Sequence, residues 1–146
     1  SRIPILKTET IPIPDPEEKT GDQLYETRCI LKATLQNGFT VLCTHFGLNH
    51  DEHINAVKTV LKNLENERCI LMGDFNVRPE NEILLPIRER MKDTADLFSE
   101  PLVSFPSDKP NRKIDYIFVS PDVTVLEADI PPIVAADHRP HTATVE

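Results

Sequence analysis

The chain has 146 residues, and its 16 Lys and Arg against 24 Asp and Glu give a formal net charge of −8 at pH 7. This length predicts one domain and is too short for two ordinary ones. The acidic balance argues against binding a phosphate backbone through clustered cations, but carboxylates also bind hard divalent cations, so a metal-dependent phosphate site stays open. No stretch approaches the roughly 20 apolar residues that span a bilayer.

The first half of the chain predicts an edge strand, a hairpin and a helix. Residues 3–13 form a Pro-interrupted extended segment, which suits a sheet edge because Pro cannot donate to a ladder. Within residues 28–45, two apolar runs are joined by Asn37-Gly38, the strongest short-range signal for a β-hairpin. Apolar residues then recur at helical spacing from 50 to 66, with Asn49 as a predicted N-cap.

The second half predicts one more helix and four more strands. A short apolar strand occupies 68–72, and a second helix is expected around 81–91, disturbed by Pro86. The remaining strand-like segments are 113–120, 123–129 and 141–145. This order of strands and helices predicts a mixed α/β fold.

The three cysteines, Cys29, Cys43 and Cys69, each lie in a strand-like run and have no paired spacing. This usage predicts reduced core thiols in a cytoplasmic protein. Metal or redox chemistry is the alternative, but it has no Cys-x-x-Cys motif to support it.

Several polar residues fall where a predicted strand ends, which is where α/β enzymes keep their sites. His45 ends one strand, and Asp74 and Asn76 follow another. Asp115 lies inside an apolar strand, where an unpaired buried carboxylate costs several kcal/mol. We therefore expect Asp115 to have a partner, and a histidine is the obvious candidate.

A carboxylate that holds an imidazole raises its basicity and fixes its tautomer, which suits proton abstraction from water. Asp137 and Asp74 are then candidates to hold or orient a divalent cation and its water. Taken singly, the segments around Asp74 and Asp137 are also typical of simple turns. Their joint occurrence with His45 and Asp115 favours a catalytic site.

Two further groups have open interpretations. His50 and His53 are spaced i, i+3 in the first turn of a helix; we expect them to be solvated, and a zinc site with His45 is the weaker alternative. Lys109, Arg112 and Lys113 form a small basic loop, which is either a soluble connector or a contact to a substrate phosphate.

Four short motifs then stand out by their order. They are Thr44-His45-Phe46, Gly73-Asp74-Phe75-Asn76, Ile114-Asp115-Tyr116-Ile117 and Ala136-Asp137-His138-Arg139-Pro140. The ordered set resembles the motif series of the endonuclease/exonuclease/phosphatase superfamily, over about residues 25 to 146. Tyr25-Glu26-Thr27-Arg28 is similar to the strand start that precedes the family's first catalytic histidine. The resemblance implies a four-layered α/β/β/α sandwich with mixed, mostly antiparallel sheets and outer helices.

The resemblance also implies roles for residues of this chain. His138, paired with Asp115, would act as general base or position the attacking water. His45, oriented by Glu26, would donate to a phosphate oxygen. Asn76 would hydrogen-bond the scissile phosphate.

For the metal, the resemblance implies Mg²⁺ or Mn²⁺ as the cofactor. Asp137 would be a ligand, and Asp74 would orient the nucleophile or help to hold the metal. The implied activity is that of a metal-dependent hydrolase acting on a phosphodiester or a phosphomonoester, with a small molecule, a lipid head group or a nucleic acid as substrate. A catalytically inactive interaction module that keeps the fold is the alternative.

The chain departs from the family pattern at three places. Ala136 stands where a Ser is usual, and Cys29 where a Gly is common. Nothing before Glu26 supplies the family's Asn-bearing strand or the strand with its principal metal-binding Glu. We therefore expect residues 1–146 to be the C-terminal portion of a single domain, weakly active or inactive alone, with an exposed sheet face through which it self-associates.

Overall fold

A computed structural model describes all residues from 1 to 146 and centres on a six-stranded mixed sheet in the order β1-β2-β3-β4-β6-β5. Its strands are β1 Ile5–Pro12, β2 Cys29–Leu35, β3 Thr40–His45, β4 Cys69–Asp74, β5 Lys92–Asp93 and β6 Asp115–Val119. Strands β3 and β4 run parallel, and every other neighbouring pair runs antiparallel. Strands β7 Val125–Asp129 and β8 Thr142–Val145 form a separate antiparallel pair.

The local signals in the first half are confirmed. The predicted edge segment is β1, at one end of the sheet. The hairpin joins β2 to β3, and Gly38 at its turn has a φ of +86°, which Gly adopts without steric cost. Helix α1, His50–Asn63, begins behind the predicted N-cap Asn49, and a capping box links Asn49 with Glu52.

The second predicted helix is shorter than expected. A 3₁₀ turn, Glu82–Leu84, leads into a single α-helical turn, α2, at Leu85–Arg88. Pro86 lies at the start of α2, where its missing N–H is tolerated, but it could not donate within one continuous helix over 81–91. The short strand β5 and the 3₁₀ turn Thr94–Leu97 were not predicted.

One face of the sheet is packed against the helices. Leu42, Leu71 and Phe118 lie side by side across β3, β4 and β6, and all three are fully buried. They join a 17-residue core cluster that includes Val60 of α1 and Ile87 of α2. Because side chains alternate along a strand, the neighbouring positions lie on the opposite face of the sheet.

This opposite face, which we call the open face, is lined by apolar side chains. Leu31, Cys43, Met72 and Ile117 form a row across four strands. Leu31 is 48% exposed and Cys43 is also exposed. None of the helices has the length and the apolar character that a membrane span requires.

Candidate active site

Three of the predicted site residues are cross-strand neighbours at one edge of the sheet. His45 ends β3, Asp74 ends the parallel strand β4, and Asp115 begins the antiparallel strand β6. The register pairs His45 with Asp74 and Asp74 with Asp115. All three side chains therefore share the open face, at the edge where these strands meet.

Asp115 has a histidine partner, His138. The His138 Nδ1 lies 2.8 Å from the Asp115 Oδ2, and both side chains are largely buried. A carboxylate only accepts, so Nδ1 is the donor and Nε2 is left facing the site. Burial of the ring lowers the pKa of His138. The hydrogen bond that His138 donates to Asp115 and the negative charges of Asp115 and Asp74 outweigh this effect and raise the pKa above its ordinary value.

Asp74 lies between the two histidines. Its Oδ2 is 3.4 Å from His45 Nε2 and 3.7 Å from His138 Nε2. Its Oδ1 accepts a 2.8 Å hydrogen bond from the Asn76 backbone N–H. Burial raises the pKa of Asp74, and the nearby charge of Asp115 raises it further, while the hydrogen bond from Asn76 opposes both effects.

Asn76 completes the group through a backbone conformation that few residues adopt. Its φ is +51°, in the left-handed region that Asn tolerates better than most residues. Its side-chain amide donates to the Phe46 carbonyl oxygen at 3.1 Å and lies 3.2 Å from His45 Nε2. The position of the Asn76 side chain is therefore set both by this backbone conformation and by these two contacts.

The three groups Asp74, Asp115 and His138 are suited to a divalent cation. Each offers one ligand atom, and these atoms lie within 4.8 Å of one another. Carboxylate oxygens are the ligands that Mg²⁺ and Mn²⁺ prefer. The side chain of Asp137, the other predicted ligand, is exposed and is not part of this cluster, although Asp137 directly precedes His138.

Glu26 does not make the predicted contact with His45. Its carboxylate is 53% exposed and accepts a 2.6 Å hydrogen bond from Arg28 Nη2. Residues two apart on an extended segment point the same way, so Arg28 is the nearer partner. The Nε of Arg28 is buried and has no hydrogen-bond partner.

The histidines of α1 do not form a zinc site with His45. His50 is exposed, whereas His53 is buried, so our expectation that both are solvated was wrong for His53. Its Nε2 lies 2.9 Å from the Gly47 carbonyl oxygen, which ties the helix to the chain that follows β3. Burial lowers the pKa of His53, which keeps the ring neutral in this structural role.

The basic loop divides between surface and interior. Lys109 and Arg112 are exposed, but Lys113 is buried behind Asp115. The Lys113 amine donates to the Asp115 carbonyl oxygen at 3.1 Å and lies 3.5 Å from the Tyr116 ring centroid. Burial lowers the pKa of Lys113 to about 8. Lys113 therefore supports the strand that carries Asp115 and does not face the site.

Two contacts to Asp115 were missed by sequence reasoning. The Ser104 hydroxyl donates to Asp115 Oδ2 at 2.5 Å, and the His141 Nδ1 lies 3.3 Å from the Asp115 carbonyl oxygen. Ser104 comes from the Pro- and Ser-rich connector before β6, where no local pattern distinguishes it from its neighbours. Burial lowers the pKa of His141 to about 4, so this ring is neutral at pH 7.

A cavity of about 410 Å³ lies beside the Asp115–His138 pair. Its wall includes Asp74, Asp115 and His138 together with Cys43 and Met72 of the open face. The cavity is therefore continuous with the apolar row on the sheet.

A family model described as the Endonuclease/Exonuclease/phosphatase family matches residues 19–138 of this chain. Among solved structures, an endonuclease/exonuclease/phosphatase from Bacteroides vulgatus is 21% identical with a TM-score of 0.79, and the match covers 98% of this chain and 66% of that one. A mannosyl-6-phosphatase from Bacteroides thetaiotaomicron is 18% identical with a TM-score of 0.76, covering 99% and 67%. An endonuclease/exonuclease/phosphatase from Beutenbergia cavernae is 20% identical with a TM-score of 0.72, covering 99% and 46%.

Comparison with curated protein sequences found no match. The likeness to the solved structures shows a shared fold, and this chain spans about two thirds of the length of the first of them. The family model, by contrast, covers well over half of the chain. The chain therefore belongs to the endonuclease/exonuclease/phosphatase family.

Proposed function

We propose that the protein is a metal-dependent phosphoesterase in which His138 activates or positions the water that attacks the phosphorus atom. The observation that carries this proposal is the His138–Asp115 hydrogen bond of 2.8 Å in a cavity shared with Asp74. Asp115 fixes the ring with Nδ1 protonated, which leaves Nε2 to accept a proton from water. The raised pKa of His138 supports a ring basic enough for this role near neutral pH.

The phosphate would be bound by donors on the neighbouring strand ends. His45 and the Asn76 amide lie 3.2 Å apart beside Asp74, so both can reach oxygens of one phosphate group. Charge that develops on those oxygens would be stabilised by hydrogen bonds in a partly buried site. Glu26 would orient His45 only if its carboxylate gave up the hydrogen bond that it accepts from Arg28.

Asp74 would hold the cation, Mg²⁺ or Mn²⁺, and would also be available to orient the water. Asp137 would join Asp74 as a ligand only if its side chain, which is exposed and outside this cluster, turned towards the cation. When bound, the cation would supply Lewis-acid polarisation of a phosphoryl oxygen and offset negative charge in the site.

We propose a small phosphate ester as the substrate. The net charge of −8 disfavours a nucleic-acid backbone, and no Trp with only two Tyr leaves few side chains on which bases could stack. A mannosyl-6-phosphatase is among the proteins that share this fold, which supports a sugar phosphate as one substrate to test. The three unpaired cysteines support a reducing, cytoplasmic location.

The hydrolysis test uses the full-length protein with bis(p-nitrophenyl) phosphate as a diester and p-nitrophenyl phosphate as a monoester. We expect release of p-nitrophenol that depends on added Mg²⁺ or Mn²⁺, stops with EDTA and returns when the metal is restored. Mannose 6-phosphate, followed by inorganic phosphate release, tests the sugar-phosphate class. Hydrolysis that is insensitive to EDTA would contradict the proposed chemistry, and no hydrolysis of any of the three compounds would favour the inactive interaction module.

We further propose that residues 1–146 are the C-terminal portion of one domain, whose open face is covered by a second sheet of a longer protein. Support comes from the apolar row on that face, where Leu31 is 48% exposed, and from the third of the Bacteroides vulgatus structure that this chain does not cover. Apolar patches of this kind find a partner in solution. The 146-residue chain alone should therefore hydrolyse phosphate esters weakly or not at all.

Sedimentation velocity tests this arrangement. We expect the 146-residue chain to associate with rising concentration, and Leu31→Glu to weaken the association by charging the open face. Leu126→Glu is the matched control, since Leu126 is 52% exposed but lies on β7 of the separate sheet. A tight monomer at all concentrations would overturn self-association through the open face, and equal effects of the two variants would remove the open face as its cause.

A further inference from the structure

Ser104 contacts the same carboxylate oxygen as His138. Its hydroxyl donates to Asp115 Oδ2 at 2.5 Å, and His138 Nδ1 lies 2.8 Å from that oxygen. Ser104 is completely buried. The proposed mechanism has so far given this residue no role, although it lies directly behind the pair on which the mechanism depends.

The backbone of Ser104 is held on two sides. Its N–H donates to the Arg112 carbonyl oxygen at 2.9 Å, and its own carbonyl oxygen accepts from the Arg139 N–H at 2.7 Å. Arg139 directly follows His138, and Arg112 lies three residues before Asp115. Ser104 therefore joins the loop that carries His138 to the chain that enters β6.

We propose that Ser104 is the positioning residue of the Asp115–His138 pair. The terminal torsion of an Asp side chain has a broad energy well, so one hydrogen bond to a histidine does not fix the plane of the carboxylate. A second donor from a buried, backbone-anchored serine sets that plane. The carboxylate then holds the His138 ring in the tautomer with Nδ1 protonated and Nε2 facing the cavity.

The expected effect of Ser104 on kcat rests on the proposed function, whereas its effect on the orientation of Asp115 and His138 does not depend on hydrolysis. Removing the hydroxyl leaves Oδ2 with His138 as its one donor, and both side chains gain freedom to turn. Partners that orient a metal-binding histidine from behind typically contribute about 10- to 100-fold to metal affinity or activity, and we expect the positioning of His138 to have an effect of similar size. The loss should fall on kcat, because Ser104 has no route to the substrate except through Asp115 and His138.

The kinetic test compares Ser104→Ala with Ser120→Ala in the full-length protein. Ser120 is the matched control, since it is also buried and its hydroxyl donates to a carboxylate, Asp122, at the far end of β6. We expect Ser104→Ala to lower kcat at least about 10-fold with little change in KM, and Ser104→Thr to recover most of it. An equal effect of Ser104→Ala and Ser120→Ala on kcat would overturn the proposal.

The second readout is the nitrogen-15 NMR spectrum of the histidine rings in the metal-free protein. We expect His138 to show one tautomer, protonated at Nδ1, in the wild type and in Ser120→Ala, and a mixture in Ser104→Ala. An unchanged His138 tautomer in Ser104→Ala would overturn the positioning role. If the wild type hydrolyses nothing, the proposed function fails and the ring spectrum alone decides the role of Ser104. If Ser104→Ala does not fold, Ser104→Cys, which fills similar space with a weaker donor, is tested in the same two ways.

Discussion

Replacing His138 by Ala should lower kcat for phosphate-ester hydrolysis by roughly 100- to 10,000-fold, the range expected for a lost general acid–base group, and replacing Asp74 by Ala should lower kcat as well. His138 is the ring that Asp115 orients at 2.8 Å, and no other histidine in the structure pairs with that carboxylate side chain. Asp74 lies within 4 Å of both His45 and His138, so its loss removes charge from the centre of the site. The measurement is kcat and KM in saturating Mg²⁺ with the full-length protein.

Two further variants sharpen this comparison. Asp74→Asn keeps the size of the side chain and removes its charge, so a comparable loss would assign the effect to charge and not to packing. Glu67→Ala is the control, since this exposed carboxylate precedes β4 at the opposite end of that strand and should leave kcat unchanged. Wild-type rates in both His138→Ala and Asp74→Ala would show that the catalytic assignment is wrong, and a loss in Asp74→Ala alone would remove His138 as the general base.

The parts of the fold that could be predicted are those determined by neighbouring residues. Asn37-Gly38 predicted the hairpin because the turn needs a positive φ, which Gly38 adopts. Asn49 predicted the start of α1 because its side chain takes part in a capping box with Glu52. Over 81–91 the sequence predicted one helix disturbed by Pro86, but it did not predict that a 3₁₀ turn and a single α-helical turn would form there instead.

The candidate site divides in the same way. The free-energy cost of a lone buried carboxylate predicted that Asp115 has a partner, and a histidine fills that position. The residues alone did not single out which histidine, because His138 is 23 positions away and loops fix the approach. Ser104 gave no signal at all, since a serine in a polar connector is ordinary until the fold buries it against Asp115.

Gly73 lies directly before Asp74, and replacing it by Ala should be the most destabilising single change near the site. Its φ is +143°, a conformation that residues with a side chain rarely adopt. A Cβ there would lie 1.8 Å from the backbone oxygen of Thr44, its neighbour in the parallel strand β3. Backbone strain of about 1–3 kcal/mol and overpacking of a similar size together predict a loss of about 4 kcal/mol in the free energy of unfolding.

Gly38→Ala is the matched comparison, because Gly38 also has a positive φ but an added Cβ at this position would not clash with a backbone atom. Its φ is +86°, and the nearest atom to an added Cβ is the Nε of the flexible Arg68 side chain, 3.3 Å away. We expect about 1–2 kcal/mol from the left-handed conformation alone. Urea unfolding of the two variants measures both losses, and equal losses would contradict the clash with Thr44. Thr44 and Gly73 directly precede His45 and Asp74. A Gly73→Ala chain that still folds should therefore also lose activity, because separating β3 from β4 moves His45 away from Asp74.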